Sequence, residues 1–161
     1  MNWSKLFAMQ RQLDAYIVDN HQLQDRSLFE EKMLALLVEL GELANETRCF
    51  KFWSTKESAG REVILEEYVD NIHFLLSLGL EKGYEFTSID EKESNKTATV
   101  QFNDVFRLAV HFYETESKQA YRDLVIGYIQ LAKVLGFTEK DVLQAYIDKN
   151  EVNYERQKSG Y

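Results

Sequence analysis

Two short acidic spacings carry the most chemistry in this sequence. Glu39-Leu-Gly-Glu42 and Glu67-Tyr-Val-Asp70 each set two carboxylates three residues apart. On a helix that spacing leaves them about 60° apart around the axis, so each pair projects from one face. Glu39 and Glu42 also interrupt a run of leucines. A carboxylate in apolar surroundings finds a cation or gives up its charge. Four of them facing one another across two helices would call for hard divalent cations with oxygen ligands. Mg²⁺ suits such a site, because it keeps several waters and accepts phosphate oxygens. The same spacing also describes the solvated stripes of two amphipathic helices.

A carboxylate-bridged di-iron centre needs Glu-x-x-His from two helices. Of the three histidines only His73 follows an acid by three, in Asp70-Asn-Ile-His73, while His21 and His111 do not. The di-iron reading fails on ligand count. Gly41 lies inside the first acidic pair, where a close approach of backbone or ligand, or simple tolerance, would account for it. Towards the C-terminus Lys149, Asn153 and Arg156 fall on one helical face. Lysine as a point charge, arginine as a fork and asparagine as a neutral donor can together grip a polyphosphate. Basic residues there also complement the dipole of a helix C-terminus.

The elements that must position these groups read as helices throughout. The first runs from about Trp3 to Val18, with Leu6, Met9, Leu13, Tyr16 and Ile17 at helical spacing. Ser27 and Glu30 suggest a capping box for the second helix, whose Met33, Leu34, Leu36, Leu37, Leu40 and Leu43 mark it as central. A loop with three aromatics, around Cys49-Phe-Lys-Phe-Trp-Ser-Thr-Lys, precedes a third helix from about Arg61 to Lys82, stopped by Gly83. Tyr84 to Thr99 reads as a connecting loop, followed by helices at about Asn103–Glu116 and Lys118–Leu135. Thr138 with Asp141 opens a last helix to about Gln157. Aromatic residues crowd the fourth and fifth helices (Phe102, Phe106, Phe112, Tyr113, Tyr121, Tyr128), more than one small bundle needs, so some are expected to face a partner chain.

Composition sets the bounds. The 161 residues contain no proline and 7 glycines, which favours an all-α bundle, expected as a single domain over 1–161. A net charge of -8 argues against a protein that tracks nucleic acid polymers, without excluding a nucleotide substrate. Cys49 is the sole cysteine, so no intrachain disulfide forms. No apolar run is long enough for a membrane span and the N-terminus lacks a signal-peptide pattern, so a cytoplasmic location is expected.

Taken in order, the segments resemble the dimeric all-α dUTPase family of the MazG-like nucleotide pyrophosphohydrolase superfamily. The hallmark is Glu-x-x-Glu followed one helix later by Glu-x-x-Asp. The segments Met9-Gln-Arg-Gln-Leu-Asp14, Glu42 to Ser54, Asp70 to Gly79 and Lys149 to Tyr161 resemble, respectively, the family's first helix, its loop after the metal helix, its second metal helix and its closing motif. The resemblance implies a helical bundle with a four-helix metal-binding core. It also implies a homodimer that hydrolyses dUTP to dUMP and pyrophosphate. It assigns Mg²⁺ to Glu39, Glu42, Glu67 and Asp70, with Glu42 also orienting or deprotonating the attacking water. It places Trp53 and His73 beside uracil and sugar, and Lys149, Asn153, Arg156 and Tyr161 at the phosphates or over the pocket. Lys51 and Asn71, inside the quoted segments, join the substrate-binding set. Gln10 and Asp14 are the candidates for reading the base, although the family commonly uses amides there and Asp14 departs from that pattern. The chain is also shorter than many members. The rival readings are a pyrophosphohydrolase for dCTP or damaged nucleotides, which would share the metal motif, and a non-catalytic helical interaction module.

Overall fold

The computed structural model describes residues 1–89 and 94–160, and the described residues form six α-helices. They are α1 (Trp3–His21), α2 (Phe29–Thr47), α3 (Arg61–Lys82), α4 (Ala98–Thr115), α5 (Lys118–Val134) and α6 (Glu139–Lys158). The chain is thus all-α, as its composition predicts.

The helix ends are set by local chemistry. Thr138 accepts from the backbone of Asp141 while the Asp141 carboxylate accepts from Thr138 N–H, the capping box expected for α6. At α2 the expected box between Ser27 and Glu30 does not form. Glu81, from the end of α3, takes its place: its carboxylate accepts from Leu28 N–H at 2.8 Å and the Ser27 hydroxyl at 2.7 Å, and pairs with Lys32 at 2.6 Å. A carboxylate there satisfies orphan donors and complements the helix dipole. Helix α4 begins five residues before the expected Asn103, because the Thr97 side chain caps it by accepting from Val100 N–H.

The centre of the bundle is α3, which packs against α1, α2, α5 and α6. The apolar sequence of α2 points to that helix instead, but its Leu34 and Val38 are 65% and 49% exposed. Side-chain pairs fix the directions around α3. Glu81 meets Leu28 at one end of α2 and Glu39 lies near Asp70 at the other, so α2 runs antiparallel to α3. Gln10 meets His73 and Asp14 meets Ser77, so α1 runs parallel to it. Antiparallel α5 is pinned by reciprocal bonds, Tyr68 hydroxyl to Tyr128 carbonyl and Tyr128 hydroxyl to Tyr68 carbonyl, with the rings stacked at 4.6 Å. Gly79 lets α5 close in, since a β-carbon there would fall 2.2 Å from the hydroxyl of Tyr121, itself bonded to Leu75 carbonyl.

Of the aromatics on α4 and α5, Phe102, Phe112, Tyr121 and Tyr128 are buried within their own chain, Phe106 is half-buried, and Tyr113 is exposed. Most therefore belong to this core rather than to a partner surface. Among the described residues, nothing beyond its chain neighbours and its own helix backbone lies within 4 Å of a β-carbon built at Gly41, so no close approach by them explains that glycine.

Candidate active site

The antiparallel pairing of α2 and α3 brings Glu39, Glu67 and Asp70 together, with one carboxylate oxygen from each within 4.8 Å of the others. All three are half-buried. Burial, then the charges of Asp70, Glu42 and Glu67, pushes the Glu39 carboxyl up to about 7. Burial and the charges of Asp70 and Glu42 raise Glu67 as well. Asp70 is raised by burial, against the pull of Lys149. Glu42 stands one turn further along α2, exposed to solvent, and its charge acts on both Glu39 and Glu67. A half-buried donor set made only of carboxylate oxygens, each repelling the next, fits a hard divalent cation.

The cation already facing this cluster is Lys149. Its side chain is 9% exposed, and its ammonium lies 2.8 Å from Asp70 and 2.8 Å from Glu66. Burial works against its charge, but the bonds to Asp70 and Glu66 outweigh it and the lysine titrates above its ordinary value. Glu66 is held below the usual carboxylate range by its hydrogen bond from Lys149.

Beside the acids opens a cavity of about 460 Å³. Its floor is α3 (Asp70, His73, Phe74, Ser77), and its walls are α1 (Gln10, Leu13, Asp14, Ile17) and α2 (Lys32, Ala35, Glu39), with Asn153 and Arg156 of α6 also on its lining. A chain of hydrogen bonds ties the walls to the floor. Ser77 hydroxyl donates to Asp14 at 2.6 Å, and Gln10 donates to the other oxygen of Asp14 at 2.7 Å. The Gln10 carbonyl oxygen lies 2.8 Å from His73 Nδ1 and accepts from the Tyr146 hydroxyl at 2.8 Å. Because that oxygen can only accept, His73 carries its proton on Nδ1, which leaves the buried Nε2 as an acceptor with no partner among the described residues. Burial lowers the His73 ring to about 3, so it is neutral. Tyr146 stacks on it at 4.3 Å. Burial also raises the Asp14 carboxyl, although Ser77 and Gln10 both pull it down.

Among the residues expected from sequence, Gln10, Asp14, His73, Asn153, Arg156, Glu39 and Asp70 share this cavity. Asn71 does not line it; it is fully buried, and its amide donates to the Glu67 carbonyl. Lys51 and Trp53 stand outside the cavity as well. Trp53 is 64% exposed in a cluster with Phe50 and Phe52, and Lys51 donates to Asn45. Tyr161 lies outside the described residues. Sequence reasoning missed Ser77, Tyr146 and Glu66. The first two had a signal: Ser77 continues the face of Asp70 and His73 on α3, and Tyr146 precedes Lys149 by one turn on α6.

A six-helix fold that gathers an acidic triad beside a cavity lined with hydrogen-bonding side chains has the architecture of an all-α nucleotide pyrophosphohydrolase. The family described as dUTPase matches residues 2–161, and the chain belongs to that family. Its activity is the hydrolysis of dUTP to dUMP and pyrophosphate. No individual curated protein matches the chain significantly. No helix among the described residues is long and apolar enough to cross a membrane.

Proposed function

We propose that this dUTP hydrolysis depends on Mg²⁺ bound by Glu39, Glu67 and Asp70 with Glu42 beside them, and that Glu42 takes the proton of the attacking water. The observation that carries the reading is the convergence of three half-buried carboxylates at the edge of the cavity. When bound, Mg²⁺ supplies charge that offsets the triphosphate and lowers the pKa of water. Glu42 is the exposed acid of the four, so water reaches it. Water oxygen attacks the α-phosphorus in line, the α–β bridging bond breaks, and pyrophosphate leaves. Lys149, Asn153 and Arg156, on one face of α6, meet phosphate oxygens, with Arg156 able to donate two parallel bonds.

Gln10 and Asp14 then read the base. With its carbonyl oxygen committed to His73 and Tyr146 and one amide hydrogen to Asp14, Gln10 has one N–H left to donate. A free N–H beside a carboxylate complements the O4 and N3–H edge of uracil. Lys51, Asn71, Trp53 and Tyr161 complete the substrate set in this reading, with the aromatic loop closing over bound nucleotide. We further propose that residues 1–161 act as one domain and that the protein is a cytoplasmic homodimer handling free nucleotides rather than polymers. The exposed apolar pair Leu34 and Val38 supports a partner chain, and the net charge of -8 disfavours polyanions.

Pyrophosphate release from a panel of dNTPs, with Mg²⁺ and after its removal with EDTA, tests the reading. Turnover of dUTP that stops with EDTA and returns with Mg²⁺ is expected. Turnover that persists without divalent ions would overturn the metal assignment, and preference for dCTP would overturn the base assignment.

A further inference from the structure

Lys149 has two carboxylate partners of different kinds. Asp70 belongs to the acidic triad, whereas Glu66, one turn earlier on α3 and next to Glu67 in sequence, lies outside the triad, with a side chain 59% exposed. The ammonium sits 2.8 Å from each. A cation that approaches Asp70 must therefore compete with a lysine already there. Like charges cannot share one carboxylate oxygen at close range without a large repulsion.

We infer that Lys149 is an internal counter-ion for the acidic cluster, released from Asp70 when a divalent ion binds, and that Glu66 is the positioning residue that keeps it beside the site. The inference rests on the metal reading given above. In the metal-free protein Lys149 offsets part of the mutual repulsion of Glu39, Glu67 and Asp70. When a divalent ion takes Asp70, the ammonium keeps its second partner, Glu66, rather than losing both. It then stays at the rim of the site as a charged donor. Glu66 thereby lowers the cost of displacing Lys149, and the chain keeps its cluster compact both with and without metal.

The test is Mn²⁺ binding to substrate-free protein, followed by electron paramagnetic resonance, for the wild type, Lys149→Met, Glu66→Gln and the double variant. Lys149→Met keeps the long apolar stem and removes the competitor, so it should bind Mn²⁺ at least about tenfold tighter. Glu66→Gln should weaken binding severalfold in the wild-type background and have no effect once Lys149 is methionine, because Glu66 acts through that lysine. An equal Glu66→Gln effect in both backgrounds would mean plain long-range electrostatics and overturn the positioning role. Unchanged or weaker binding in Lys149→Met would overturn the counter-ion role. A measurement free of variants follows the Lys149 ammonium resonance by NMR as Mg²⁺ is added; it should shift on saturation, and a resonance that stays in place overturns the inference. If neither the wild type nor Lys149→Met binds Mn²⁺, the metal reading itself falls and takes this inference with it. Binding by wild type with no response to Lys149→Met leaves the metal reading standing.

Discussion

Gln10 joins three polar side chains around the cavity, and replacing it with leucine tests the network directly. The side chain is 3% exposed, its carbonyl oxygen serves both His73 and Tyr146, and its amide serves Asp14. Leucine fills a similar volume but neither accepts nor donates. The His73 N–H and the Tyr146 O–H, both buried, are then left without an acceptor. An orphaned buried donor costs about 1–3 kcal/mol. Two of them cost roughly 2–6 kcal/mol, and at roughly 2–4 °C per kcal/mol for a chain of this size the melting temperature should fall by about 5–20 °C. Differential scanning fluorimetry of metal-free protein measures this. Gln10→Glu gives the complementary result: a carboxylate against Nδ1 favours imidazolium, so the His73 ring should titrate well above its native value of about 3 by nitrogen-15 NMR. A fall of less than about 2 °C in Gln10→Leu, together with an unmoved His73 titration in Gln10→Glu, would refute the hydrogen-bond assignment.

Glu42→Gln should remove nearly all dUTP turnover with its circular dichroism melt unchanged, because the residue is exposed and its charge is directed at the acidic cluster; near wild-type turnover would refute its role. Arg156→Lys, which keeps the charge and loses the fork, should lower kcat/KM at least about tenfold, or about 1.4 kcal/mol, with little change in melting temperature. A lower melting temperature with activity spared would make Arg156 structural instead. The carboxyl of Glu39 is raised to about 7, so the folded chain holds its proton more tightly than the unfolded chain does. That contribution to stability is present below the ordinary value of 4.5 and is lost as pH rises through about 7. Metal-free Glu39→Gln should therefore melt higher than the native protein at about pH 8 and gain nothing at about pH 4.5; the same difference at both would contradict the burial and repulsion described.

The parts of this molecule that were legible in its sequence are those fixed by neighbours in the chain. The acidic pairs of α2 and α3, the Thr138–Asp141 box and the Gly83 stop are patterns of three to five residues, and each is found where the spacing puts it. The Ser27 box failed because a distant carboxylate, Glu81, outcompeted the local one. The start of α4 is hidden in the sequence because Ala98-Thr-Val-Gln-Phe102 has no clear apolar period, and the Thr97 cap carries no stronger local signal. Leu34 counts towards a central helix in the sequence yet is exposed, because hydrophobicity alone does not say which sides of a helix have neighbours. The lysine between Asp70 and Glu66, and the Gln10 junction linking residues 63 and 136 positions apart, are products of tertiary packing that no local spacing encodes.

The helices α1 and α2, which wall the cavity, do not pack on each other; each is held by α3. The space between them is thus a cleft whose two walls share α3 as their base. A ligand that touches Gln10 or Asp14 on one side and Glu39 or Lys32 on the other would tie the two walls together, where the attraction of Lys32 for Asp14 already spans the cleft. Binding energy gained there is spent against relative motion of the two walls, so nucleotide should slow amide hydrogen exchange in α1 and α2 together, although the two backbones do not pack on each other.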